Sequence, residues 1–264
     1  MTSPKKSAKP RASKRRKLPA NLALSPLQLL GLICVFAAAR VALSFKSDSA
    51  KVALREYLDA FIVAGLASLF LITFVIRTFY IPSDSMVPTL QQNDVLLVNE
   101  FEYRVHAPAR GDIVVFKPPI ASPIDFIKRV IAVPGDTLRV SGGVVYVNGK
   151  PLDEPYISQP PSYELRVAGY GITVDTGSGP QPLNPARADV PPRALWQAPD
   201  RVPAGYYFVM GDNRNDSDDS HVWGFAQLHG RFAAGPLAQT KAVAQFTGRA
   251  FLLLWPLRRL RVLH

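Results

Sequence analysis

Apolar residues fall in two different patterns along the chain. Up to Ile76 they come in blocks: Leu27–Ala39 is 13 residues, ended by Arg40, and Ala60–Ile76 is 17 residues without a charge, flanked by Asp59 and by Arg77 with Tyr80. A helix needs roughly 20 apolar residues to cross a bilayer. The first block therefore suits an interface, and the second a minimal span with a snorkelling cation and an aromatic at its end. Ala37-Ala38-Ala39 after a basic start imitates a cleaved leader, but Arg40 follows directly and the second block would remain as an anchor.

After Tyr80 the blocks give way to short β-branched runs separated by turn residues. Residues 94–98, 112–116, 137–140, 143–147 (before Asn148-Gly149) and 206–210 read as strands, with no long helical period between them. This predicts a mainly β chain: one or two apolar N-terminal helices, then an all-β body, in place of a doubly wound α/β fold. The expected divisions are a basic cytoplasmic tail (1–26), a short apolar segment (27–45), a transmembrane anchor (57–80), a β-rich core (81–150 and 204–264) and a Pro/Gly-rich inserted β subdomain (151–203). The segment Phe251–Pro256, followed by Arg258, Arg259 and Arg261, has two readings, a membrane-surface patch or a last core strand with a solvated basic end.

Charge changes this picture at one end only. Of 31 Lys and Arg, eight lie within residues 1–18, which hold no acid; setting them aside leaves 23 basic against 20 acidic side chains. The body is nearly neutral. The tail can orient the chain in a membrane, sit on anionic lipid or contact nucleic acid, and the apolar blocks that follow favour orientation, with no nucleic-acid partner. A single cysteine, Cys34, excludes an intramolecular disulfide and a Cys-based zinc cluster.

Three segments carry candidate chemistry. Ile81-Pro82-Ser83-Asp84-Ser85-Met86-Val87-Pro88-Thr89-Leu90 sets two serines in a turn stiffened by prolines. Asp125–Asp136 places Lys128 in an apolar strand leading into Pro134-Gly135-Asp136, and a buried ammonium is poorly solvated, which lowers its pKa toward a neutral base. Gly211-Asp212-Asn213-Arg214-Asn215-Asp216-Ser217-Asp218-Asp219-Ser220-His221-Val222-Trp223-Gly224 is the densest polar cluster. It lacks the glycine and terminal glutamate of an EF-hand loop, which leaves an ordinary hydrophilic loop or a hydrogen-bonded support for a nearby site.

In this order, and with Arg110–Pro119 between the first two, the segments closely resemble the bacterial type I signal peptidases over about residues 77–150 and 205–248. The resemblance implies a membrane-anchored serine endopeptidase in the bacterial cytoplasmic membrane, its catalytic domain on the outer face, removing signal peptides from exported precursors after a small-x-small site. It makes Ser85 the nucleophile and Lys128 the general base. Ser83 and the Ser85 N–H would form the oxyanion hole, Ser217 would orient the Lys128 amine, and Asp219 with Arg214 would hold the loop. Phe79, Ile81, Met86, Leu90, Phe126 and Ile127 would line the substrate pockets. Partners are then precursor proteins and membrane lipid. No metal or organic cofactor is expected, because a hydroxyl and an amine in the chain supply the chemistry.

Two positions depart from the family pattern. Asp84 stands where a small residue is frequent, and a carboxylate near Lys128 would favour the ammonium. His221 stands where Arg is common. Two other functions fit the same segments: a related peptidase that matures one pilin or conjugation precursor, and a catalytically silent membrane-anchored module that binds extended peptides.

Overall fold

The computed structural model describes residues 26–44, 49–120, 122–183, 191, 193–227 and 246–264. Residues 1–25 of the basic tail, and residues 184–190 and 192 of the expected insertion, lie outside them. The chain forms two compact units, Met1–Phe70 and Leu71–His264.

In the first unit α1 (Pro26–Ser44) lies against α2, which begins at Ser49 and runs to Phe74. The two are joined by an Arg40–Asp59 ion pair at 2.8 Å and a Phe36–Phe61 ring contact at 5.6 Å. Gly65 keeps the approach close, since a Cβ there would stand 2.8 Å from Ile33 Cγ1. Away from this contact the helices expose apolar side chains, among them Leu27, Val35, Val63 and Phe70. Among the described residues, no helix is long and apolar enough to cross a membrane. One reason is that α2 carries Arg55, Glu56 and Asp59 in its first half.

Beyond α2 the strands are β1 (Ile76–Tyr80), β2 (Val95–Asn99), β3 (Ile113–Phe116), β4 (Phe126–Ala132), β5 (Leu138–Ser141), β6 (Val144–Val147), β7 (Lys150–Pro151), β8 (Glu164–Ala168), β9 (Gly171–Asp175), β10 (Gln181–Pro182), β11 (Tyr206–Met210), β12 (Ala226–Gln227), β13 (Phe246–Trp255) and β14 (Arg261–Val262). Two short helices, α3 (Glu102–Val105) and α4 (Ser220–Trp223), connect them. The helical register therefore stops inside the segment expected to be anchor. Ile76–Tyr80 pairs with β2, as its β-branched and aromatic composition favours.

One sheet runs β1-β2-β13-β3-β4-β11-β12, with β14 beside β13, and the other runs β10-β9-β8-β5-β6-β7. All pairs are antiparallel. β3 and β11 are buried at every residue, which matches their unbroken apolar sequences. β5, β8 and β9 alternate buried residues with exposed or half-buried ones, as expected of a sheet with one wetter face. Asn148 and Gly149, both at positive φ, make the tight turn between β6 and β7. The second sheet draws strands from both sides of residue 150. β13 lies between β2 and β3, with Ala250 and Leu253 fully buried, so Phe246–Trp255 is a central core strand.

Candidate active site

The serine turn is fixed from below by its own apolar residues. Ile81, Met86 and Leu90 sink into a core with Leu96, Val98, Ile113 and Leu253, while Val87 N–H donates to Asp84 C=O and Leu90 N–H to Met86 C=O. This leaves Ser83 and Asp84 exposed and Ser85 half-buried, facing β4. From above, Asn213 N–H donates to Ser85 C=O at 3.1 Å and Asn213 Nδ2 to Asp84 C=O at 3.2 Å.

Lys128 comes from the middle of β4, between β3 and β11, and is only 4 % exposed. Its Nζ lies 2.7 Å from Ser85 Oγ. Burial pushes the amine below the usual lysine range, while the carboxylates of Asp219, Asp218 and Asp212 push it back up. Asp84 is not among the charges acting on it. Its carboxylate accepts a hydrogen bond from Gln92 Nε2 at 2.8 Å and stands in solvent, so the proton balance at Lys128 is set elsewhere.

The Gly211–Gly224 loop holds the site from behind. The buried Asp219 caps α4, accepts the Gly211 N–H at 2.8 Å and meets His221 Nδ1 at 2.7 Å. Burial would raise its carboxyl, but the His221 hydrogen bond and the charges of His221 and Lys128 outweigh burial and hold it below the usual range. Arg214 Nε donates to the Gly211 C=O at 3.1 Å, so Asp219 and Arg214 grip the two sides of one residue. Gly211 has to be glycine: a Cβ there would stand 2.2 Å from Ser217 Oγ and 2.3 Å from the Ser85 carbonyl oxygen. Among the described residues the buried Ser217 Oγ has no partner at ordinary hydrogen-bond geometry, yet it is near enough to Asp219 to help depress that carboxyl. No bond joins it to Lys128 among the described residues.

Ser83 Oγ lies 3.3 Å from Ser85 Oγ, on the same exposed side of the turn. A cleft of about 420 Å³ opens beside the pair, lined by Ile81, Met86, Phe126 and Ile127 of the expected pocket and rimmed by Asp84, Asp125, Asp216 and Asp218. Phe79 and Leu90 do not line it. Leu90 is wholly buried in the core beneath the turn, and Phe79 packs against the same core.

Sequence reasoning missed several contributors. Arg214 pairs bidentately with the buried Glu154, at 2.8 and 2.5 Å. Arg129, next to Lys128, pairs bidentately with Asp212 at 2.9 Å and also donates to the Gly111 and His264 carbonyls. A buried-strand Lys-Arg pair followed by an acid-rich loop was the one available signal, and it does not say which acid meets which base.

The family described as "Signal peptidase, peptidase S26" matches residues 54–236. The probable signal peptidase I-1 of Synechocystis sp. is 39% identical over 74% of this chain and 89% of its own length. Probable signal peptidase I-2 of the same organism is 41% identical over 72% and 68%, and signal peptidase I of Leptolyngbya laminosa 37% over 71% and 73%. With the match spanning most of its length, the chain belongs to the S26 family of signal peptidases.

Proposed function

We propose that this protein is a serine endopeptidase, held at the bacterial cytoplasmic membrane, that removes N-terminal signal peptides from exported precursors after a small-x-small site. The single observation carrying the reading is the 2.7 Å approach of a buried lysine amine, its proton affinity lowered by burial, to a half-buried serine hydroxyl beside an apolar-walled cleft. A substrate lies extended between residues 81–86 and 124–128, its small side chains against Ile81, Met86, Phe126 and Ile127. Neutral Lys128 accepts the Ser85 proton as Oγ attacks the scissile carbonyl, and the resulting ammonium protonates the departing amine. Water then hydrolyses the acyl-enzyme with Lys128 again as base.

The Ser85 N–H and the Ser83 hydroxyl meet the oxyanion. Ser83→Ala should lower kcat by roughly 10²-fold with little change in KM, as for loss of one oxyanion donor; a KM effect alone would place Ser83 in substrate binding instead. The exposed apolar faces of α1 and α2, with the uncharged run Ala60–Ile76, support attachment to lipid. On the outer face the enzyme would meet the cleavage site of a precursor already translocated. Metal ligands and cofactors have no part in these steps.

A silent peptide-binding module is disfavoured because a desolvated lysine beside a serine costs stability that binding does not require. The test is cleavage of a labelled precursor by detergent-solubilised wild-type and Ser85→Ala protein, with the cut read by mass spectrometry. Wild-type cleavage after a small-x-small site, absent in a folded Ser85→Ala variant, is the expected result. An active Ser85→Ala variant would overturn the reading, and cleavage of one precursor in a panel of unrelated ones would point to the specialised peptidase.

A further inference from the structure

Outside the three motif segments, residues 154–163 run along the Gly211–Gly224 loop and grip it at successive points. Glu154 takes the Arg214 guanidinium, and Tyr156, whose hydroxyl donates to Glu154 Oε1 at 3.0 Å, lays its ring 4.0 Å beneath the Arg129 guanidinium. Asn215 is held by its whole side chain: Nδ2 donates to Pro160 C=O at 2.9 Å and Oδ1 accepts Ser162 N–H at 2.8 Å. Last, the Tyr163 ring stacks on His221, with centroids 4.4 Å apart and planes within 10°. His221 in turn contacts Asp219, whose charge acts on Lys128.

Among the described residues the buried Tyr163 hydroxyl has no hydrogen-bond partner, a costly arrangement for a phenol. What this residue contributes is the flat face of its ring. We propose that residues 154–163 form a strap that fixes the support loop, and that Tyr163, acting through His221 and Asp219, is a positioning residue for the Lys128 amine. The proposal rests on Ser85 and Lys128 being the dyad.

The charges facing Lys128 are the carboxylates of Asp219, Asp218 and Asp212, with the Phe126 ring 5.4 Å away. His221 faces Asp219, Arg129 pairs with Asp212, and Arg214 and Glu154 act with Asp219 on Tyr163. Without the stack the His221 ring is free to leave Asp219, and the carboxylate, having lost the ring's hydrogen bond, then favours the ammonium of Lys128 more strongly. Water entering the gap acts in the same direction. The acidic limb of kcat/KM against pH, which reports deprotonation of the base, must therefore move to higher pH.

The experiment measures kcat/KM on a labelled precursor peptide across pH for wild type, Tyr163→Leu and Tyr163→Phe. Leucine keeps apolar volume without a stacking face, and phenylalanine keeps the face without the hydroxyl. Tyr163→Leu should shift the acidic limb upward by roughly half a pH unit or more, with activity recovering on the alkaline side, while Tyr163→Phe follows wild type. A uniform loss at all pH values, or an equal shift in Tyr163→Phe, would overturn the proposal. Should Tyr163→Leu not fold, Asn215→Ala, at an exposed position, removes two strap bonds and is judged by the same limb. An unmoved limb beside an inactive Lys128→Met counts against the strap alone, whereas an active Lys128→Met counts against the dyad.

Discussion

Replacing Lys128 with methionine is expected to abolish cleavage and, at neutral pH, to raise the melting temperature. The loss of activity should be at least about 10³-fold, since among the described residues the Lys128 amine is the basic group hydrogen-bonded to Ser85 Oγ. The stability change follows from the lowered proton affinity of the amine, which burial imposes against the pull of Asp219, Asp218 and Asp212. Between the folded value and the ordinary lysine range the unfolded chain binds more protons than the folded one, so stability rises with pH across that window. Below the window the penalty is fully present. Methionine has similar length and no charge, so it removes the penalty; relief of about 1 kcal/mol would raise the melting temperature by roughly 2–4 °C in a protein of this size. Calorimetry from neutral to alkaline pH checks both parts, because the gain should shrink as wild-type Lys128 sheds its proton. A gain independent of pH would show that packing, not charge, was responsible.

The second large effect belongs to Asp212. Arg129 is 3 % exposed, and its counter-charge is the fully buried Asp212 carboxylate. Asp212→Ala leaves that guanidinium buried without its paired carboxylate, at a cost of about 3–5 kcal/mol, which would lower the melting temperature by on the order of 10 °C. Pairing Asp212→Leu with Arg129→Met removes both charges and should recover much of the loss, because the damage comes from the unpaired charge more than from loss of the pair's own attraction. A double variant as unstable as Asp212→Ala would show that the Arg129 bonds to the Gly111 and His264 carbonyls carry the stability instead. Thermal melts of the three proteins decide between them.

What could be read from the sequence was what depends on neighbours along the chain. The β-branched runs at 112–116 and 206–210 became strands because they have no polar face to show to water, and Asn148-Gly149 became a turn because its residues accept positive φ. Ser85 and Lys128, 43 positions apart, were brought to one point by motifs whose order was already informative. What stayed hidden depends on pairing at a distance. No local pattern says that Glu154 meets Arg214, or that Tyr163 covers His221. Leu90 shows the same limit: it sits in the serine motif, yet the tight turn from Met86 to Leu90 directs it into the core and away from the cleft. The effect of Asp84 was likewise unreadable, because it turns on Gln92, which draws the carboxylate to the surface.

The place of β13 between β2 and β3 bears on when the enzyme becomes able to cut. Both neighbours are synthesised long before β13, and until it arrives each has one unpaired edge and the core under the serine turn lacks Ala250 and Leu253. A sheet completed by so distant a strand closes late, because the loop entropy must be met before any of its contacts form. A nascent chain emerging from the ribosome would therefore carry both Ser85 and Lys128 without a surface rigid enough to hold them 2.7 Å apart. Proteolytic competence would arrive in one late step, with the pairing of β13 to β2 and β3.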